Sequence, residues 1–431
     1  MLKQKIKSSV KRDIVVLTIP SREKQIGTFL RCLGELDPKK YKIILVCNTK
    51  KNEESRAFVK RIFKKYNTGN LPYQVVYNSE RTLPTGRNKG IARSVQNLSK
   101  GTRLTYIVDD DIVIHKPKAL FDFLEQGLQY AAFVGYPTFE ILGSLTSKKR
   151  AAEASALVSD ILDKKEISGS LNFLEIEKPR RYTPFKGQQY ENGYLLYGHV
   201  HGNLQLHFTD VLEKCFKEYG GVFSPTREWY GEFTELNYHL QRYGFIGGFI
   251  FRSPSKMEHL YKAQSWGLVF HNEAVSVESP TRTMSKRNEN MLKSYIYLTI
   301  ESNMISLDIP KEEFLNQFID LLNSDFRFLK GSIQEFTKLL QLRYSTQEYL
   351  FGTKNMSNAR FERARKGLIR KVLDEVYSVK EIKESLLRRK IQYETAPFNL
   401  APFQQMTPKG FREFLRYQNE VLKPYREEIY E

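Results

Sequence analysis

Three consecutive carboxylates, Asp109, Asp110 and Asp111, directly follow Tyr106-Ile107-Val108, an apolar run that reads as the end of a buried strand. Acids this close raise one another's pKa unless a cation relieves them. A hard divalent ion, Mn2+ or Mg2+, would do so while also bridging the phosphates of a nucleotide. Asp residues in a turn that caps the segment beginning near Pro117 would look the same in sequence. One element earlier, Thr85-Gly86-Arg87-Asn88-Lys89-Gly90-Ile91 opens a helix whose free N–H groups favour anions. Arg87 there has the planar fork that suits phosphate or base oxygens. The plainer reading makes Asn88 and Gly90 capping and packing residues and leaves Arg87 exposed. Pro20-Ser21-Arg22 and Asn48-Thr49-Lys50 fall at the ends of two further strand-like runs. Glu232 and Glu235 by themselves read as the acidic first turn of a helix. His271 ends the run Leu268-Val269-Phe270, where a lone histidine reads as an ordinary hydrogen-bonded residue. The cluster His199, His201 and His207 lies beside Gly198, Gly202 and Asn203, a loop-like setting, and receives no ligand role.

These residues need strand ends to hold them. Asp13 to Ile19, Tyr41 to Cys47, Tyr73 to Tyr77 and Leu104 to Val108 read as strands, the first two apolar enough to be buried on both faces. Glu23 to Leu36, Glu53 to Tyr66, Thr85 to Leu98 and Pro117 to Tyr130 read as the helices between and after them. Alternation of this kind requires right-handed crossovers and a mostly parallel sheet with helices on both faces, and ligands bind such sheets outside the carboxyl ends of the strands. The pattern blurs over an insertion at about 144–198. A mixed region ends in the strand candidate Phe245 to Phe251. From about residue 288 amphipathic helical segments dominate, so the expected division is an α/β domain over 1–287 and a mostly helical domain over 288–431.

Composition sets outer bounds. The chain has 431 residues, 41% hydrophobic and 27% charged, a balance of folded proteins rather than disordered ones. Three cysteines, Cys32, Cys47 and Cys215, are too few and too dispersed for a disulfide framework or a CxxC zinc site. With 68 Lys+Arg against 49 Asp+Glu the formal net charge is +19, which favours anionic partners: nucleotide phosphates, an anionic membrane, an acidic polymer or nucleic acid. No apolar run approaches the roughly 18 residues of a membrane span, and the basic N-terminus lacks the pattern of a secretion signal. The expected location is cytoplasmic, with peripheral membrane contact allowed by the charge.

Taken together, the motifs resemble the family-2-type glycosyltransferases of the GT-A (Rossmann-like) fold. Leu17 to Arg22 matches the family's first strand and Pro-containing loop. Asn48 stands where the family commonly has an Asp that contacts the nucleobase. Gly86 to Ile91 matches its Arg-Asn-x-Gly helix start, and Asp109 to Asp111 its DxD element. Tyr219 to Phe223, Glu228 to Leu236 and Leu240 to Phe245 resemble its acceptor-side block, with Phe233 where an Asp is common. The resemblance covers roughly residues 13–271. It implies an inverting, metal-dependent transfer from a nucleoside diphosphate sugar, a UDP-sugar first, to an unidentified glycan, lipid-linked or peptide acceptor. Asp111 would hold the ion with Asp109, and His271 could join them. Asp109 or Asp110 would reach the ribose. Pro20, Arg22, Asn48, Arg87 and Asn88 would line the nucleotide. Glu232, or alternatively Glu235, would be the base.

Two other readings stay open. A nucleotidyltransferase would also need metal-binding acids after a strand, but has no use for the acceptor-side block. A non-catalytic protein could use the charge to bind nucleic acid or an anionic surface. Nucleic acid is disfavoured, because no zinc-finger spacing or RNP signature is present.

Overall fold

The structure is a computed structural model, and it describes residues 5–135, 139–141, 156, 158–163, 174–176, 196–197, 203–223, 240, 247–249, 268–271, 308–323, 358–380, 382–384 and 408–431. Its first part alternates as the periodicity requires: β1 (Lys11–Thr18), α1 (Glu23–Cys32), β2 (Tyr41–Cys47), α2 (Glu53–Tyr66), β3 (Tyr73–Tyr77), α3 (Leu83–Gln96) and β4 (Thr102–Asp109). There follow β5 (Ile112–His115), α4 (Pro117–Gly127), β6 (Phe133–Gly135), β7 (Phe139–Ile141), β8 (Leu174–Ile176), β9 (Leu196–Tyr197), β10 (Leu204–Phe208) and α5 (Thr209–Tyr219). The remaining described elements are β11 (Gly247–Phe249), β12 (Leu268–His271), α6 (Lys311–Asn323), α7 (Asn358–Ser378) and α8 (Pro408–Ile429).

The main sheet has the order β3-β2-β1-β4-β10-β6. The first four strands are parallel, and β10 runs antiparallel to both β4 and β6. Ile14, Val15 and Val16 of β1 are almost wholly buried, as a central strand covered on both faces must be. Right-handed crossovers place α1 and α2 on one face and α3 on the other. The four-strand sheet β5-β12-β7-β8 begins immediately after the acidic triplet.

Several boundaries differ from the sequence expectation, and three of the differences have a visible cause. The helix expected to reach Leu36 stops at Cys32, and a 3-10 turn over Leu33–Glu35 tightens its end. The helix expected from Thr85 starts at Leu83, because Thr82 is its cap and Pro84 fits the first turn. The residues after Asp111 form β5 rather than a simple turn into α4; β5 pairs with β12, far along the chain.

The last helix returns to the first part of the molecule. Leu422, Ile429 and Tyr430 join its hydrophobic core, Arg426 Nε donates to Leu128 O at 2.9 Å, and Lys7 N donates to Ile429 O at 2.8 Å. Arg103 and Glu428 form an ion pair at 2.6 Å. Helices α6 and α7 pack on each other through Phe314, Phe318, Ile369 and Leu373, all fully buried. A chain division near residue 288 therefore leaves α8 packed against the domain that precedes it.

Candidate active site

Between β1 and β4 the strand order reverses, so their carboxyl ends flank the crevice in which open α/β sheets bind ligands. Leu17 is in register with Asp109, which brings the chain after β1 against the acidic triplet. Pro20 starts a 3-10 turn that ends in Arg22. Arg22 Nη2 lies 2.9 Å from Asp110 Oδ1 and 2.7 Å from Asp111 Oδ2. Thr18 Oγ1 donates to Asp110 Oδ2 at 2.6 Å. Burial, reinforced by Asp111 and Asp109, pushes Asp110 up to about 7 in spite of the Arg22 charge. The Arg22 Nε is buried without a hydrogen-bond partner. Thr18, as the last residue of a buried strand, gave no signal in the sequence beyond its position.

Helix α3 presses unusually close to the sheet. A Cβ on Gly86 would stand 2.3 Å from Leu17 Cδ1, and one on Gly90 would stand 2.6 Å from both Val15 Cγ1 and Val46 Cγ2. The two glycines thus let the helix bring Arg87 over the end of β4, where its Nη2 donates to Asp109 Oδ1. Arg87 is buried, with its guanidinium 5.8 Å from the Phe223 ring centroid, and is not the exposed residue of the plainer reading. Asn88 is a clamp. Its Oδ1 accepts from Val222 N at 3.0 Å and Phe223 N at 2.8 Å, and its Nδ2 donates to Phe223 O at 2.6 Å. A Cβ at Gly221 would come within 2.8 Å of that amide.

Asn48, buried after β2, donates to Arg81 O at 3.0 Å and accepts from Asn78 Nδ2 at 2.7 Å. Asn78 follows β3, reaches Thr85 Oγ1 at 3.0 Å and accepts from Lys89 Nζ at 2.9 Å. This amide pair ties the ends of β2 and β3 to the start of α3. Asn78 escaped the sequence reading, although it holds the same strand-end position after β3 that Asn48 holds after β2.

His271 pairs by backbone with Ile112, the residue after Asp111, and with Glu140 on its other side. Glu232 and Glu235, with His199 and His201, lie outside the described residues. His207 is fully buried in β10, stacked on Phe133 at 5.3 Å, where burial drives its pKa down to about 3. Cys32, Cys47 and Cys215 are buried free thiols. Among the described residues no three His, Cys, Asp or Glu side chains converge as a metal cage, and no helix is long and apolar enough to cross a membrane. The acids of the triplet are instead held by arginines.

No protein-family model matches the chain, and no curated protein matches it. Among solved structures it is similar to a mannosyltransferase, PcManGT from Pyrobaculum calidifontis, in complex with GDP-Man and Mn2+, at 10% identity and a TM-score of 0.34, over 90% of this chain and 88% of that one. It is similar to S. aureus TarS 1-349 in complex with UDP-GlcNAc at 14% identity and a TM-score of 0.38, over 86% and 92% of the two chains. For GalNAc-T7 with UDP, GalNAc and Mn2+ the values are 13% and 0.40, over 80% of this chain and 57% of that one. Likenesses of this size carry no weight for function, which rests on the strand order and the site itself.

Proposed function

We propose that the chain is an inverting GT-A-type glycosyltransferase that moves a sugar from a nucleoside diphosphate sugar, a UDP-sugar first, to an acceptor hydroxyl. The observation that carries the reading is the meeting of Arg22, Arg87 and the Asp109–Asp111 triplet where the strand order reverses. Two guanidinium groups beside three carboxylates suit a diphosphate that arrives with a hard cation, because each charge then finds an opposite partner. The unpaired Arg22 Nε offers a donor to a phosphate oxygen.

The carboxylate oxygens of the triplet suit Mn2+ or Mg2+, and Mn2+ also accepts an imidazole nitrogen. Asp110 is tied to Thr18, while the Asp109 and Asp111 side chains retain 25% and 11% exposure and are the proposed ligands. When bound, such an ion offsets the charge that builds on the departing diphosphate. His271, in register beside Asp111, is proposed as a further ligand. Arg87 would orient Asp109 and meet the nucleotide, with Pro20 and Asn48 at the rim. Asn88 would act by holding residues 221–223, the lead-in to Glu232 and Glu235. Glu232, with Glu235 as the alternative, would take the acceptor's proton as its oxygen attacks the anomeric carbon from the face opposite the diphosphate. The transferase domain would span 1–287 and the helical domain 288–431, with α8 strapped back onto the first.

The test is a panel of nucleoside diphosphate sugars in Mn2+ or Mg2+, read as release of nucleoside diphosphate. Turnover of at least one donor, falling by on the order of a hundredfold or more in Asp111→Ala, is expected. Turnover that needs no metal and survives the substitution would overturn the role of the triplet.

A further inference from the structure

The outer face of the α1–α2 layer carries charge that the site does not use. On α2, Arg56, Lys60 and Lys64 form one row at four-residue spacing, and Arg61 and Lys65 form the next; all five are exposed. Lys24 and Arg31 of α1 are exposed beside them. The two helices' faces are continuous: Arg31 Cζ and Lys65 Nζ stand 5.7 Å and 4.9 Å from the same Tyr66 ring, and Arg61 pairs with Glu23 at 2.7 Å. Of the five α2 cations, only Arg61 has a carboxylate within ion-pair distance among the described residues. Lys64 and Lys65 lie in the last turn, where the helix dipole favours cations, but Arg56 and Lys60 do not, and like charges at four-residue spacing work against a helix.

A second observation lies at the rim of the same face. Tyr73, at the start of β3, is 45% exposed, one of two large hydrophobic side chains so exposed among the described residues. It stacks on Phe63 of α2 at 3.7 Å. An amphipathic ring flanking rows of Lys and Arg is the combination found at the headgroup level of a bilayer. Two helices side by side make a broad face, whereas single-stranded nucleic acid is taken into a groove. We propose that the outer face of α1 and α2, with Tyr73 at its rim, docks the protein on an anionic lipid bilayer. Helix α1 begins one residue after Arg22, so docking would hold the rim of the crevice beside the lipid surface. This inference stands whether or not the transferase reading does.

The experiment is flotation of the full chain with vesicles of phosphatidylcholine alone or mixed with phosphatidylglycerol, at low and high salt. Three proteins are compared: wild type, the variant Lys60→Glu/Lys64→Glu/Lys65→Glu, and a charge-matched control, Arg363→Glu/Lys366→Glu/Lys380→Glu, with thermal melts showing that each is folded. Wild type and control should bind the anionic vesicles and leave them at high salt, while the α2 variant binds at least about tenfold more weakly. Equal binding to neutral vesicles, equal loss in the control, or no loss in the α2 variant would overturn the proposal. So would absent vesicle binding together with tight binding of single-stranded RNA that the α2 variant loses, which would assign the face to nucleic acid.

Discussion

Arg22 and Asp111 meet at 2.7 Å although 89 positions separate them, and the same guanidinium nitrogen reaches Asp110 at 2.9 Å. One cation thus holds two carboxylates that would otherwise repel across a largely buried strand end. Arg22→Ala should therefore destabilise the fold by about 2–4 kcal/mol, because it leaves Asp110 buried with only Thr18 as partner. Calorimetric melts check this: the variant's Tm should be lower than wild type and should recover in Mn2+, since an added cation takes over the relief. An unchanged Tm would deny that the carboxylates depend on Arg22.

Asn88 makes three hydrogen bonds to the backbone of residues 222 and 223. Asn88→Ala leaves those buried groups unpaired, at about 1–3 kcal/mol. The expected kinetic signature is a fall in kcat for transfer with little change in nucleotide affinity, because the clamp leads to the acceptor side. Nucleotide binding lost in proportion to activity would place Asn88 on the donor instead.

The close approach of α3 can be tested at Gly90, where an added methyl meets the branched side chains of Val15 and Val46. Both are buried, so neither has room to move. Gly90→Ala should cost about 1–3 kcal/mol despite the better helix propensity of alanine, as read by urea denaturation. A gain in stability would mean that the helix can lift off the sheet.

Two buried histidines contribute to the loss of stability in acid. Burial holds His207 down to about 3, and burial with the Lys116 charge holds His115 down to about 4. Folded pKa values below the unfolded value of about 6.5 mean that the unfolded chain binds more protons, so stability is complete above pH ~6.5 and lost as pH falls toward 4 and then 3. Each histidine should add about 1.4 kcal/mol per pH unit to the slope between roughly pH 6 and 4.5. Urea titrations at stepped pH on wild type and His207→Gln should show the variant with the shallower slope; equal slopes would remove His207 from the effect.

Much of this architecture was written locally. Tyr41–Cys47, Glu53–Tyr66 and Tyr73–Tyr77 have the boundaries that their apolar spacing and flanking turn residues required, because each is decided within one short window. Asn52 shows how local the signal is: its capping box with Ser55 starts α2. What depends on distant partners could not be read. Neither β5 nor the antiparallel placement of β10 is specified by its own residues, and the docking of α8 rests on contacts across almost the whole chain. At the site, the motifs placed Arg22 and the triplet after strands and Arg87 at the start of a helix. That Arg22 pairs with those acids emerged only from the register of β1 on β4, and that Arg87 does so only from the close packing of α3 on the sheet. Asn88 sits in the same motif, and its use as a clamp depends on a segment some 134 positions away.

The most direct measurement is a calorimetric titration of the protein with UDP and GDP, each with and without Mn2+, on wild type and Asp111→Ala. Binding of at least one nucleoside diphosphate should require Mn2+ and fall by at least about tenfold in the variant, with the melting profile of the variant showing an intact fold. Binding that ignores both the metal and the substitution would contradict a cation seated on the acids at the end of β4.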